Sequence, residues 1–454
     1  RFSVKDGNKT IRLTQIISEQ GSERATNDSG KIITFDGRTH VAWQDVTREG
    51  YYNRVRTFEH ATGRWSDPVT LDAGVDNHAR AVLAIDADGV LHAVLGGHGT
   101  PVRWCHALAR NDVAEWTEPV PIGVGTYPVF LCGPDGMLYL TLRGNGTERH
   151  DRGVDLYRRL PGGEWLPPKR LVSLSEEYGQ VYAAYHMQMD AAPDGTLHAI
   201  VDFYEGQDEY GRGLHQATCY VRSGDRGETW TRADGGLVIL PARPEDLDIL
   251  SRNTRSRHEP LPPPEIRQGG MVVDSHGRPF SFYIDHGVAP GHCRMVTTDA
   301  EGYLQQVPVN EYWERVYPDM RALECSVVLR ADDALCLLVT LTPFNDEWQQ
   351  GKPVRAMRMR ERLDQPLIWL LSFDGGETFS MRPFLEPGRA YNCPSVEKAV
   401  GVNAIAADRL PAVLYFDGSR EYPGGGDYYE DGRSVAEILS SGGFRANNVI
   451  LEGL

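Results

Sequence analysis

A turn centred on Asp-Gly recurs along this chain, flanked each time by residues that alternate between apolar and polar, which is a strong local instruction to form β-hairpins. The turns fall at Asp36-Gly37, Asp88-Gly89, Asp135-Gly136 and Asp194-Gly195, and in altered form at Ser275-His276-Gly277, Asp332-Asp333 and Asp408-Arg409. Four copies place a ring four residues after the Asp, at His40, His92, Tyr139 and His198, which reads as a structural position of the repeat. A second element, Trp65-Ser66-Asp67-Pro68-Val69, Trp116-Thr117-Glu118-Pro119-Val120 and Trp165-Leu166-Pro167-Pro168, follows the first hairpins and marks the outer strands of a unit.

Successive turn Asp residues are 52, 47 and 59 positions apart, with longer spacing afterwards. Units of this length holding several short strands are the pattern of a β-propeller, so the expectation is an all-β chain, a seven-bladed β-propeller formed as one domain over residues 1–454. Radial closure leaves only short protected strand edges. Residues 223–230 and 372–379 both read S-x-D-x-G-x-T-aromatic and look like the Asp-box turns of sialidase-type propellers, a structural signature rather than a chemical one. A strand near residues 10–17 or one near 448–451 is expected to complete a terminal blade, and residues 435–441 suit a short helix. Residues 241–268, rich in Pro and Arg, and 417–434, rich in Gly, Tyr and acids, read as long loops, where binding residues often sit.

Composition removes several function classes. A formal net charge of -16 argues against nucleic-acid binding through bulk charge. No run of about 18 apolar residues suggests a membrane span. The seven cysteines are irregularly spaced without a C-x-x-C, which favours buried thiols over a disulfide framework. The chain opens Arg1-Phe2-Ser3 without a signal-like apolar segment, which fits an N-terminus trimmed by processing. Secretion or a periplasmic place suits a polysaccharide-degrading enzyme, and a cytoplasmic place suits the cysteines.

The hairpins also carry reactive side chains at mirrored positions. His78 and His98 lie ten residues before and after Asp88, and Tyr127 and Arg143 lie eight before and after Asp135. Equal offsets put each pair opposite one another at the open end of its hairpin. Tyr185 and His186, nine and eight residues before Asp194, reach the same rim. A lone histidine at a strand end is ordinarily structural, Arg143 beside Gly144 could brace a turn, and Tyr127 before Pro128 could be core packing. Together they suggest chemistry. Histidine, tyrosine and arginine without paired carboxylates argue against two-acid glycoside hydrolysis. They suit proton abstraction beside a carboxylate, with Arg neutralising the substrate carboxylate and the other groups moving protons, which on a uronic acid gives β-elimination.

These residues, the histidines in D-N-H and G-G-H-G, the Tyr127–Arg143 spacing and the following Tyr185, resemble the seven-bladed propeller polysaccharide lyases of the ulvan lyase type and the related L-rhamnose-α-1,4-D-glucuronate lyases. The resemblance is strongest over residues 70–205. It implies that His78 and Tyr127 are the acid and base in either order, with Arg143 on the uronate carboxylate. Asn77, His98, Tyr185 and His186 would bind substrate or neutralise charge. The partner implied is an anionic polysaccharide or oligosaccharide, with no nucleic acid or membrane. The chemistry requires no cofactor, while a structural zinc or calcium ion is compatible with the family, and His198, His215 and Cys219 are a candidate ligand set.

Arg252, Arg255, Arg257 and Arg267 form a local basic patch, with Arg255 and Arg257 taken as distal subsites for a polyanionic chain; a solvated loop with local ion pairs is the plainer reading. Rival functions are an α-L-rhamnosidase-type glycoside hydrolase on the same scaffold and a non-catalytic carbohydrate-binding propeller. Sialidase is disfavoured because Ile11-Arg12-Leu13 lacks the expected Arg-Ile-Pro.

Overall fold

The computed structural model describes residues 14–22, 24–26, 30–47, 49–145, 152–173, 184–205, 214–252, 266–286, 291–343, 363–389, 391–418 and 447–454. Among them the structure is all-β: six antiparallel sheets, with helix confined to Glu311–Glu314 and a 3-10 turn at Pro244–Asp246. Among the described residues no helix is long and apolar enough to cross a membrane. The expected helix at 435–441 lies outside the described residues.

Six of the seven expected hairpins form at their turns. Asp36 and Gly37, both at positive φ (44° and 75°), link Phe35 to Arg38 as a two-residue turn. The next turns are longer by design of their hydrogen bonds. Asp86 N–H donates to the Val90 carbonyl at 3.0 Å while Gly89 N–H donates back to the Asp86 carbonyl at 3.0 Å. Gly89, at φ 77°, takes the left-handed position that lets the strand resume. The same pair of bonds recurs between Gly133 and Met137, Ala192 and Thr196, and Asp274 and Arg278. In the sixth copy Asp333 adopts φ 58° where the others use Gly.

The seventh turn is different from the expectation. Asn392–Val396 pairs with Val413–Asp417 through Val396 and Val413, so residues 397–412 form the connection instead of a tight Asp408-Arg409 turn. A turn does form at Ala407-Asp408, but inside this longer connection, where fully buried Glu397 takes both guanidinium nitrogens of Arg409 at 2.6 Å and the Ala412 N–H at 3.0 Å.

The seven-stranded sheet holds two of the expected hairpins, those at Asp88 and Asp135, because one strand joins them. Val120–Cys132 pairs its first half with Thr100–His106, from Val120 opposite Trp104 to Gly125 opposite Thr100, and its second half with Leu138–Asn145. At the chain's ends both candidate strands are used. Gln15–Ser18 pairs with Asn448–Glu452, which pairs in turn with Val413–Asp417. The Trp elements lie on outer strands as expected, with Trp65 in Arg64–Trp65, Trp116 bridged to Ala107 and Trp165 to Arg159.

The repeated rings are structural. His40 bonds Thr57 Oγ1 and Asn111 Oδ1, each at 2.8 Å, His92 Nε2 lies 3.0 Å from Asp86 Oδ2, Tyr139 donates to Asp135 Oδ2 at 2.9 Å, and His198 Nδ1 meets the Tyr220 hydroxyl at 2.7 Å. Both Asp boxes close identically: Thr229 N–H donates to Asp225 Oδ1 at 2.8 Å, and Thr378 N–H to Asp374 Oδ1 at 3.0 Å. Six cysteines are buried free thiols and Cys393 is partly exposed.

Two further features bear on function. Inner strands carry a register shift near their open ends, between Thr126 and Val129, Ala184 and His186, Gln268 and Met271, Ala322 and Glu324, and Asn392 and Ser395. Such bulges re-aim side chains where a sheet meets a site. At the turn ends, residues 397–405 run as a strap across several hairpins. Gly401 bridges Ile85, the Val400 carbonyl accepts Cys132 N–H at 3.0 Å, the Ile405 carbonyl accepts Ala331 N–H at 2.8 Å, and Lys398 Nζ donates to the Met271 carbonyl at 2.9 Å.

Candidate active site

His78 sits in the short connection between Val69–Gly74 and Ala81–Ile85. The preceding unit clamps this connection. Gln44 Nε2 donates to the Asp76 carbonyl at 3.0 Å and the Ala79 carbonyl at 2.9 Å, and Asn53 bonds the Ala79 carbonyl at 3.0 Å and Ala81 N–H at 2.9 Å. Gln44 and Asn53 are cross-strand partners, both almost fully buried. Burying two amides is costly unless every group is paired, so these bonds fix the loop as well as satisfy it.

His98 comes from Gly96-Gly97-His98-Gly99, after Leu91–Leu95. A Cβ at Gly97 would collide with the Thr100 and Gly125 carbonyls, so only glycine allows this close approach. His98 N–H donates to Thr100 Oγ1 at 3.2 Å and Gly99 N–H to Thr126 Oγ1 at 3.1 Å. Beyond the rung of Ala81 with Leu95, Gly96 N–H donates to the Arg80 carbonyl at 2.9 Å, and the rings of His78 and His98 stack with centroids 4.0 Å apart.

One carboxylate meets both rings. Asp76 Oδ2 lies 2.5 Å from His98 Nδ1, and Asp76 Oδ1 lies 3.3 Å from His78 Nδ1 while accepting His78 N–H at 2.7 Å. Burial pushes the Asp76 carboxyl up, but hydrogen bonds from His78 and His98 outweigh it and hold the group far below its usual range. Burial drives the His78 ring down to about 4, with Arg24, Arg80 and His98 adding to the fall and Asp76 opposing it. His78 is therefore a neutral imidazole near pH 7.

Tyr127 occupies the bulge in Val120–Cys132 at φ 57°, a conformation that a bulky residue adopts rarely and that marks functional sites. The extra residue shifts the register, so Arg143 pairs with Thr126 instead of standing directly opposite Tyr127 as its offset suggested. The side chains still meet, with the Arg143 guanidinium carbon 4.7 Å from the Tyr127 ring centroid. The Tyr127 ring lies edge-on to His78 and to His186, at 6.2 Å in each case. His98, His78, Tyr127 and His186 thus form a row of rings with Arg143 over its third member.

The remaining candidates are placed less uniformly. Asn77 is buried at 2% exposure, and its carbonyl accepts Arg80 Nη1 at 2.7 Å. The backbone of Tyr185 lies at the bulge between Ala184 and His186, but its side chain is outside the described residues, as are Arg255 and Arg257 altogether. Arg252 and Arg267 belong to paired strands, opposite Ala217 and Ile284. The zinc candidates do not converge. His198 pairs with Arg222 and His215 with Tyr204, which separates them by six residues along the hairpin, roughly 20 Å. Instead His215 Nδ1 meets the Asp202 carboxylate and Cys219 Sγ lies 3.9 Å from the Pro244 carbonyl. Among the described residues, Asp76, His78 and His98 are the one trio of potential ligands with atoms within 4.8 Å of one another, and here Asp76 accepts from His98 Nδ1 and from the backbone N–H of His78.

Sequence reasoning missed Asp76, Gln44, Asn53 and the fully buried Arg80. The available signal was the polar pair Gln44-Asp45 interrupting the apolar strand Arg38–Thr47, and the polar run Asp76-Asn77 just ahead of Ala81–Ile85.

An ulvan lyase of Nonlabens ulvanivorans is 27% identical over 146 residues, 26% of this chain and 30% of that protein. Ulvan Lyase-PL25 of Pseudoalteromonas sp. (strain PLSV) is 28% identical over 320 residues, 62% of this chain and 64% of that one. The chain thus matches less than two thirds of the length of either relative. A solved PL25 ulvan lyase bound to -[GlcA(1-4)Rha3S]- shares the fold, with a TM-score of 0.62 at 18% identity over 88% of this chain and 92% of its own. A family model described as "BNR repeat-containing family member" matches residues 33–311, a span that holds every ring of the row and Arg143, and the chain belongs to that BNR repeat-containing family.

Proposed function

We propose that this protein is a polysaccharide lyase that cleaves a uronate-containing glycan by β-elimination, on a single-domain propeller of seven blades. Seven strand units support the blade count, since the seven-stranded sheet contains two of them joined through Val120–Cys132. The observation that carries the chemistry is the row His98, His78, Tyr127 and His186 with Arg143 stacked on Tyr127. The substrate is an ulvan-like chain with rhamnose beside glucuronate or iduronate, a reading supported by the relatives named above.

In this reading Arg143 faces the uronate carboxylate and lowers the cost of the charge that builds up when the α-proton leaves. His78 is the base, because it is neutral and able to accept. The C5–H bond breaks and its proton forms an N–H bond at Nε2 of His78. The freed electron pair makes the C4–C5 double bond and expels the C4 oxygen, which takes the phenolic proton of Tyr127. His98 and His186 line the approach, and Arg255 and Arg257 serve distal subsites. No cofactor takes part in these steps.

The test is incubation with a panel of uronate polysaccharides while following ultraviolet absorbance from the new double bond. Growth of absorbance is expected. New reducing ends without it would identify a hydrolase of the α-L-rhamnosidase type, and binding without either would identify a carbohydrate-binding propeller.

A further inference from the structure

The carboxylate beneath the two histidines has an assignable role that the residue pattern did not suggest. We propose that Asp76 is the positioning residue of this site, a single carboxylate that holds His98 by its Nδ1 atom and His78 by its backbone N–H, faces Nδ1 of both rings, and leaves Nε2 of each as its basic nitrogen. This inference rests on the elimination reading for its catalytic consequence, but not for its structural content.

An ionised carboxylate only accepts, so a ring nitrogen bonded to it must carry the proton. Asp76 Oδ2 is 2.5 Å from His98 Nδ1, and Oδ1 is 3.3 Å from His78 Nδ1. The hydrogen bond sets His98 as the Nδ1–H tautomer, and the negative charge facing His78 Nδ1, without a hydrogen bond, favours the proton on that nitrogen too, so the lone pair of each ring is on Nε2. The backbone N–H of His78, 2.7 Å from Oδ1, and the Gln44 bond to the Asp76 carbonyl hold the carboxylate in place from two directions.

Charge supplies the second part. Rings stacked at 4.0 Å resist carrying two positive charges, and Arg24 and Arg80 also act on His78. With both rings neutral the trio carries one negative charge, and after His78 takes a proton it carries none. Asp76 thus stabilises the imidazolium formed during elimination without itself being protonated, as an orienting carboxylate does in hydrolytic triads. His98 shares the same carboxylate, which keeps the second imidazole in register with the first.

The experiment is nitrogen-15 NMR of the histidine side chains at neutral pH, with kinetics of Asp76→Asn and Asp76→Glu on whichever uronate glycan the wild type cleaves. In the wild type, His78 and His98 are both expected as Nδ1–H tautomers. In Asp76→Asn the amide offers one acceptor and one donor group, so one of the two rings should switch to Nε2–H. The same variant is expected to lose about 10³- to 10⁴-fold in kcat with KM within a few-fold, and Asp76→Glu should recover part of the loss. Wild-type rings in the Nε2–H form, or tautomers unmoved by a folded Asp76→Asn protein, would overturn the proposal; the wild-type spectrum decides even if the variant does not fold. Nδ1–H tautomers in a protein without lyase activity would uphold the positioning role and reject the elimination reading alone.

Discussion

The guanidinium of Arg143 lies over the ring of Tyr127 at 4.7 Å, although its backbone is paired with Thr126. A one-residue bulge separates the backbone partner from the side-chain partner. The bulge turns Tyr127 out of the ladder while the stacking keeps the cation beside the phenol. The phenol proposed as proton donor and the guanidinium proposed to meet the carboxylate are thus held as one unit.

That unit predicts a graded loss. Arg143→Ala should lower kcat/KM by about 10²–10³-fold, the scale of removing one charge-stabilising group. Arg143→Lys should recover little, because an ammonium lacks the planar face that covers the ring and the fork that grips a carboxylate. Tyr127→Phe keeps the ring and the bulge, so it should lose turnover with an unchanged melting temperature. Near-normal steady-state kinetics in Tyr127→Phe would remove the hydroxyl from proton transfer.

Acid should weaken the fold before it touches the carboxylates. Burial lowers His40, His78 and His198 from 6.5 to about 4. Between those values the unfolded chain binds protons that the folded protein refuses, so stability is intact above about pH 6.5 and falls as pH drops toward 4, by up to about 1.4 kcal/mol per pKa unit and ring. Melting temperatures measured across that range should decline, and His40→Gln should flatten the decline. A melting temperature independent of pH between 6.5 and 4 would contradict the assignment.

The strap at the turn ends rests on Lys398, which donates to the Met271 carbonyl and whose charge acts on Asp190. Burial pushes Asp190 up and Lys398 down, and each opposes the other's shift. Lys398→Met should cost about 3–5 kcal/mol by stranding the carboxylate, and the double change Lys398→Met with Asp190→Asn should cost less. Denaturant unfolding of both variants measures the difference.

Metal removal offers a direct check on the chemistry. Since the three groups assigned to the reaction are side chains, dialysis against EDTA should leave the rate of double-bond formation unchanged. A lost rate restored by zinc or calcium would require an ion in the mechanism.

Much of this arrangement was legible before any coordinates. Period-two alternation and Asp-Gly turns announce hairpins, and equal offsets from Asp88 put His78 and His98 at one level because no bulge intervenes in Ala81–Ile85 and Leu91–Leu95. The offset rule slipped at Tyr127, where a register shift depends on cross-strand contacts that local pattern does not encode. Asp76 was hidden for a different reason: an Asp before a strand is indistinguishable from a turn former until its partners are seen. The Asp408 turn forms, yet the strands it was expected to link pair through Val396 and Val413, a longer connection braced by the Glu397–Arg409 ion pair that local pattern does not encode. The proposed zinc set failed because residues close in sequence repeat lay at opposite ends of one hairpin.

The sheet that joins the two ends of the chain has a mechanical consequence. Gln15 faces Leu451 and Ser18 faces Val449, so the outermost rung of that ladder is the one nearest both ends. A pull between residues 14 and 454 therefore opens the pair rung by rung, as a zipper opens, instead of loading all its hydrogen bonds at once. Tension should release Gln15–Ser18 at low force and leave the row of rings, on hairpins far from that edge in sequence, intact until later.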